Sequence, residues 1–176
     1  MHLNGVIYEA FVARVQRRDP SDLYHSALEV LIGDERYVIE MAPIFASPPT
    51  QCGVVAQGAV GTRWAGRSSL FRYGIRCWRN GMIPDADFAV QSPRRISGDA
   101  ACAKRLLDLV PAVPTPVWGR DELNTGEMWN SNSVVSWVLK RSGIEVETIH
   151  PPANGRAPGW NAGLTIAVRG LSREGP

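Results

Sequence analysis

The chain has 176 residues, 44% of them hydrophobic and 20% charged, with a formal net charge of +2. Such a chain is long enough to bury roughly 70% of its unfolded surface in one core, has no run near the roughly 18 apolar residues that span a bilayer, and is too close to neutral for its charge to name a nucleic acid or an anionic membrane as partner. Cys52, Cys77 and Cys102 are odd in number and widely spaced, which predicts reduced thiols and neither a disulfide framework nor a zinc cluster.

The first residues, MHLNGVIYEAFVARVQRRD, alternate and offer no apolar core with a cleavage site, so no signal peptide and a cytoplasmic address are expected. Val6 to Gln16 reads as a strand apolar on both faces. Leu23 to Ala42, LYHSALEVLIGDERYVIEMA, reads as a hairpin. Leu28, Val30 and Ile32 on its first strand and Tyr37, Ile39 and Met41 on its second must share the core side. That requires an even loop such as Gly33-Asp34, since an odd one would turn one set to solvent. Continued outward, this register puts His25, Glu29 and Glu40 together on the opposite face, where a carboxylate is able to orient the imidazole.

Residues 43–66, rich in Pro, Gly and Ala, read as a long loop able to cover that face. Ser69 to Trp78 is a strand that packs Phe71, Tyr73, Ile75 and Cys77, and Met82 to Val90 returns across an Asn80-Gly81 turn as a weaker edge strand interrupted by Pro84. Ser97 to Val110 is a helix capped near Ser97 or Asp99 and stopped by Pro111. Thr115 to Met128 is a polar approach, with Trp118 and Trp129 bracketing it as candidate walls of a binding cleft.

Trp129 to Gly143, WNSNSVVSWVLKRSG, is a helix of about three turns. Val134, Val135, Val138 and Ser142 share an arc centred on Ser131, whereas Asn132, Ser136 and Lys140 point away. Ser131 therefore faces inward at the first turn, where amide N–H groups are unpaired and a nucleophile gains an oxyanion pocket. The competing reading makes Asn130 or Ser131 an N-cap and nothing more. Ile144 to Ile149 and Leu164 to Val168 read as short strands, His150 as a loop residue, and 171–176 as a frayed tail. Residues 1–176 form one domain on this reading, without a repeat, a phosphate-cradling glycine motif or metal-ligand spacing, so no cofactor and no metal are expected.

YHSALEVLIGDERYVIEM followed by WNSNSVVSWVL resembles the circularly permuted branch of the papain-like superfamily, which includes permuted NlpC-type hydrolases, lecithin:retinol acyltransferase-like enzymes and PPPDE-type peptidases. The two segments look like the family's His-bearing hairpin and its Asn-Cys-Asn-Ser helix start. The resemblance implies an α+β fold with a small antiparallel sheet against the nucleophile helix. It maps the nucleophile onto Ser131, the base onto His25 and the orienting residue onto Glu40, with Trp129, Asn130, Trp118 and Glu29 lining the substrate site.

The chain departs from that family at the nucleophile, where Ser131 stands in place of Cys. A serine has no preformed thiolate and depends wholly on its base and oxyanion donors. Three explanations stay open at this point: a serine hydrolase or acyltransferase acting on an amide, peptide or acyl ester; a catalytically silent binding module; or a trapped form of a cysteine enzyme. The expected partner is a small-molecule, acyl or peptide substrate, and the oligomeric state is not legible.

Overall fold

Alternation of apolar and polar residues builds the first hairpin. In the computed structural model, which describes residues 22–44, 53–83, 86, 94–153 and 155–172, β2 (Leu28–Ile32) pairs antiparallel with β3 (Glu35–Pro43) through the expected two-residue Gly33-Asp34 turn. Gly33 has a φ of +58°, a left-handed conformation that costs glycine little. Leu28 lies opposite Ile39 and Val30 opposite Tyr37, and with Met41 these side chains face the core.

β5 (Arg72–Arg79) pairs with the far edge of β3, and β4 (Val54–Ala59) pairs with β5, giving an antiparallel sheet in the order β2-β3-β5-β4. The sheet thus recruits part of the segment expected to be only a loop: Val54 to Ala59 is an edge strand with a register shift between Val54 and Ala56. Its glycine is used for close packing, since a Cβ on Gly58 would lie 2.4 Å from the Tyr73 ring. Ser69–Phe71 is a 3-10 turn, so Phe71 stands 50% exposed ahead of the strand it was assigned to.

Three helices complete the α+β fold: α1 (Ala100–Leu109), α2 (Ser131–Arg141) and α3 (Trp160–Leu171). α1 is capped by Asp99, whose carboxylate accepts from the Ala101 amide at 2.9 Å. Val134, Val135 and Val138 of α2 pack with Ile39, Met41, Tyr73 and Ile75 of the sheet and with Leu106 of α1 and Val110 just beyond it. Fully burying a Val or Ile side chain contributes about 1.5–3 kcal/mol relative to exposure, so this layer holds α2 against the sheet.

Leu164 to Val168, expected as a strand, lies inside α3, and Ile144 to Ile149 carries no strand. The helix wins because Ala162, Gly163 and Ala167 form a small-residue stripe that lets α3 lie close against α2. A Cβ on Gly163 would come within 2.1 Å of the Ser133 carbonyl oxygen. α3 covers the face of α2 expected to point to solvent, so every residue from Ser131 to Leu139 is buried, Asn132, Ser133 and Ser136 included. The same approach is fixed by hydrogen bonds: Ser136 Oγ donates to the Trp160 carbonyl at 2.7 Å.

Asp22–Leu23 (β1) and Gly155–Arg156 (β6) form a separate parallel pair that ties the start of the first hairpin to the approach to α3. The expected strand at Val6 to Gln16, Cys52, most of Met82 to Val90 and residues 173–176 lie outside the described residues.

Candidate active site

Asn130 stops the chain ahead of α2 in an extended conformation and turns its side chain back as a cap. Its Oδ1 accepts from the Asn132 amide at 2.9 Å and the Ser133 amide at 3.4 Å, while Ser133 Oγ accepts from the Asn130 amide at 3.1 Å. This reciprocal box engages the second and third amides of the helix. The first amide belongs to Ser131. Among the described residues neither that N–H nor the Ser131 hydroxyl has a hydrogen-bond partner, and the residue is 8% exposed. A buried free hydroxyl and a free amide, both at the positive end of a helix dipole, are the parts that nucleophilic attack and oxyanion stabilisation require.

Two neighbours brace this turn from the start of α3. Ser133 Oγ donates to the Gly159 carbonyl at 2.7 Å, and Asn130 Nδ2 donates to the Pro158 carbonyl at 2.8 Å. Gly159 has a φ of +84°, and a Cβ there would lie 2.6 Å from Asn130 Oδ1, so the brace requires glycine on two counts.

His25 comes from the other end of the sequence. It is exposed and lies three residues ahead of β2, in an unpaired stretch where the strand parity of the hairpin no longer applies. The chain there is fixed at Tyr24. Its amide donates to the Arg156 carbonyl at 2.8 Å, and its own carbonyl accepts from Asn132 Nδ2 at 2.9 Å. A single side chain therefore joins the residue before His25 to the residue after Ser131. Asn132 is 2% exposed, and Nδ2 also donates to the Pro158 carbonyl at 2.9 Å. Pattern reading set this residue aside as outward-facing, and the NSNS run beside the valine arc was the available signal.

Glu40 occupies a different environment. It faces Arg76 across the β3–β5 register on the side of the sheet away from Ile39 and Met41, and its Oε1 accepts from Arg76 Nη1 at 2.9 Å. The side chains are only 9% and 14% exposed, a nearly buried ion pair. Glu29 is bound by Arg36 at 3.0 Å at the surface. Glu29 and Glu40 thus share the face opposite the core, as the register predicts, but each carboxylate is held by its own arginine, and His25 lies ahead of β2 on the approach to it.

Trp129 is 1% exposed and belongs to the core, and its indole N–H has no acceptor among the described residues. Trp118 is half-buried, packs edge-to-face on Tyr73 with centroids 5.8 Å apart, and bridges to Trp129 on one side and Val60 on the other. The Tyr73 hydroxyl donates to the Pro116 carbonyl at 2.7 Å, and burial, reinforced by the charge of Glu122, raises its pKa far above the usual phenol range. This aromatic layer fixes Trp129, and hence the start of α2, against the sheet.

Two cavities open elsewhere. One of about 320 Å³ lies at the C-terminal end of α2 between Arg94, Arg95, Arg105 and Glu145, and one of about 460 Å³ lies between Arg63, Arg120 and Glu122. Neither is lined by Ser131 or His25. Among the described residues no group of three His, Cys, Asp or Glu side chains is placed to hold a metal ion, and no helix is long and apolar enough to cross a membrane. Compared with family models, curated proteins and solved structures, the chain matches none of them.

Proposed function

We propose that the chain is a hydrolase or acyltransferase of the permuted papain-like type, with Ser131 as nucleophile and His25 as base. The observation that carries this reading is the pair of uncommitted Ser131 groups, hydroxyl and amide, beside a tether that brings the His25 segment to the same helix turn. Ser131 Oγ attacks the acyl carbon of an amide, peptide or ester while His25 accepts its proton. The oxyanion forms against the Ser131 amide and the helix N-terminus, a contribution on the order of 10²–10³ in rate for one such donor. The imidazolium then protonates the leaving group, and water or an acceptor takes the acyl group from Ser131.

Glu40 is left out of this dyad because its carboxylate is bound by Arg76. Trp129 and Asn130 act by holding the helix start, and neither is assigned a contact with substrate. A fluorophosphonate probe tests the reading. It should label Ser131, identified by peptide mapping, and labelling should fall at least tenfold in His25→Ala.

One observation favours a second reading. Ser131 is 8% exposed and lines neither described cavity, as expected of a non-catalytic module that keeps the capped helix for structure alone. That module would leave Ser131 unlabelled and would lose nothing on Ser131→Ala.

A further inference from the structure

The net charge of +2 conceals a local asymmetry. Residues 53–79 contain five arginines and no Asp or Glu, although Arg63, Arg76 and Arg79 pair with Glu122, Glu40 and Glu35 outside that stretch. Within that stretch two successive 3-10 turns, Ala65–Arg67 and Ser69–Phe71, join β4 to β5. They present Trp64, Leu70 and Phe71 at 76%, 60% and 50% exposure. Leu31, Met82 and Ile96 are each exposed alone in the sequence, and Val168 and Leu171 form one pair on α3. Single exposed apolar residues need no explanation, whereas three within eight residues do.

These side chains have no route into the core, because the turns are pinned to the sheet. Arg72 Nε donates to the Gly66 carbonyl at 2.6 Å, the Val60 amide donates to the Phe71 carbonyl at 2.8 Å, and a Cβ on Gly66 would meet Ala59 Cβ at 2.7 Å. Part of the turn backbone is bonded internally. The Arg67 amide donates to Trp64, Ser68 to Ala65 and Phe71 to Ser68, and the Ala65 amide donates to Thr62 Oγ1 at 3.3 Å.

We propose that Thr62–Phe71 docks the protein onto an anionic lipid bilayer surface, with Trp64, Leu70 and Phe71 entering the headgroup boundary and Arg63 and Arg67 facing lipid phosphates. The occupant follows from charge, chemistry and size. Arg67 is exposed and has no carboxylate partner among the described residues, and Arg63 is 80% exposed although paired with Glu122. The indole of tryptophan prefers the bilayer interface, where its ring is buried and its N–H stays wet. A stable protein partner needs roughly 20–30 residues per side, whereas interfacial anchoring needs only a few apolar side chains and nearby cations. The proposal does not depend on the Ser131 reading.

Co-sedimentation of the full chain with phosphatidylcholine vesicles, with and without phosphatidylglycerol, tests it. Binding should require the anionic lipid and weaken with salt. Arg63→Gln with Arg67→Gln should lower partitioning by about fivefold per arginine. Trp64→Ser, Leu70→Ser and Phe71→Ser together should lower it at least tenfold with the melting temperature unchanged, since all three are exposed. Absence of binding to the mixed vesicles, or equal binding by the triple variant, would overturn the proposal. So would concentration-dependent self-association of the wild type that the triple substitution abolishes, which would make the patch a contact between copies.

Discussion

Removing the Asn132 side chain should damage both stability and the candidate site. Asn132→Ala deletes the Nδ2 bonds to the Tyr24 and Pro158 carbonyls, both 2.9 Å. Pro158 keeps its bond from Asn130 Nδ2 at 2.8 Å, whereas the Tyr24 carbonyl loses the donor that holds it. An orphaned buried carbonyl costs about 1–3 kcal/mol, and the second lost bond about 1 kcal/mol. Against this, Asn132 Oδ1 is itself a buried acceptor without a partner, and deleting it recovers on the order of 1 kcal/mol. The net is about 2 kcal/mol, a fall in melting temperature of about 4–8 °C for a chain of this size. Asn132→Leu restores the volume without the donor and should remain destabilised by a similar amount. Thermal unfolding followed by circular dichroism decides the stability part, and fluorophosphonate labelling of Ser131 in the folded variant decides the positioning part. Wild-type stability in Asn132→Leu would refute the tether, reducing Asn132 to a space-filling residue.

Glu40→Gln should leave Arg76 as an uncompensated, nearly buried charge and cost about 3–5 kcal/mol in chemical denaturation, whereas replacing both residues with apolar ones of similar volume should be close to neutral. Gly163→Ala should cost about 1–3 kcal/mol by the same assay, because its methyl would press on the backbone of α2 at Ser133. Tyr73 has a folded pKa raised above its ordinary 10.0, chiefly by burial, so its stabilising contribution is complete below about pH 10 and is lost as pH climbs beyond it. Stability profiles should therefore fall in that alkaline range in the wild type and fall less in Tyr73→Phe.

The hairpin was legible because one period governs both of its strands: Gly33-Asp34 is even, and Leu28, Val30, Ile39 and Met41 turn to one side. The same parity carried past the start of β2 put His25 on the Glu40 face, away from the side where α2 packs. The strand begins at Leu28, so that parity no longer fixes the direction of His25, and the chain there is held at Tyr24 by Arg156 and Asn132, contacts remote in sequence that no local period encodes. The inward turn of Ser131 was readable from the valine arc. Burial of Asn132, Ser133 and Ser136 was not, because it depends on α3, whose alternating Leu164 to Val168 run imitates a strand until the small residues Ala162, Gly163 and Ala167 are seen as a helix-packing stripe. The edge strand β4 was missed for a related reason: its Gly58 serves close approach to Tyr73 and not strand propensity.

The dyad itself is tested most directly by making Ser131→Cys and measuring its alkylation by iodoacetamide below about pH 7, where ordinary thiols are protonated. If the proposed dyad holds, a thiol at the first turn of α2, beside a free amide and within reach of the His25 imidazole, should ionise early and react faster than Cys77 or Cys102. Cys102 is buried, and burial raises the pKa of half-buried Cys77, so both give a slow background. Adding His25→Ala should remove the advantage of the introduced thiol over Cys77 and Cys102. Alkylation of that thiol no faster than those two, or a rate indifferent to His25→Ala, would contradict a nucleophile and base at this helix start.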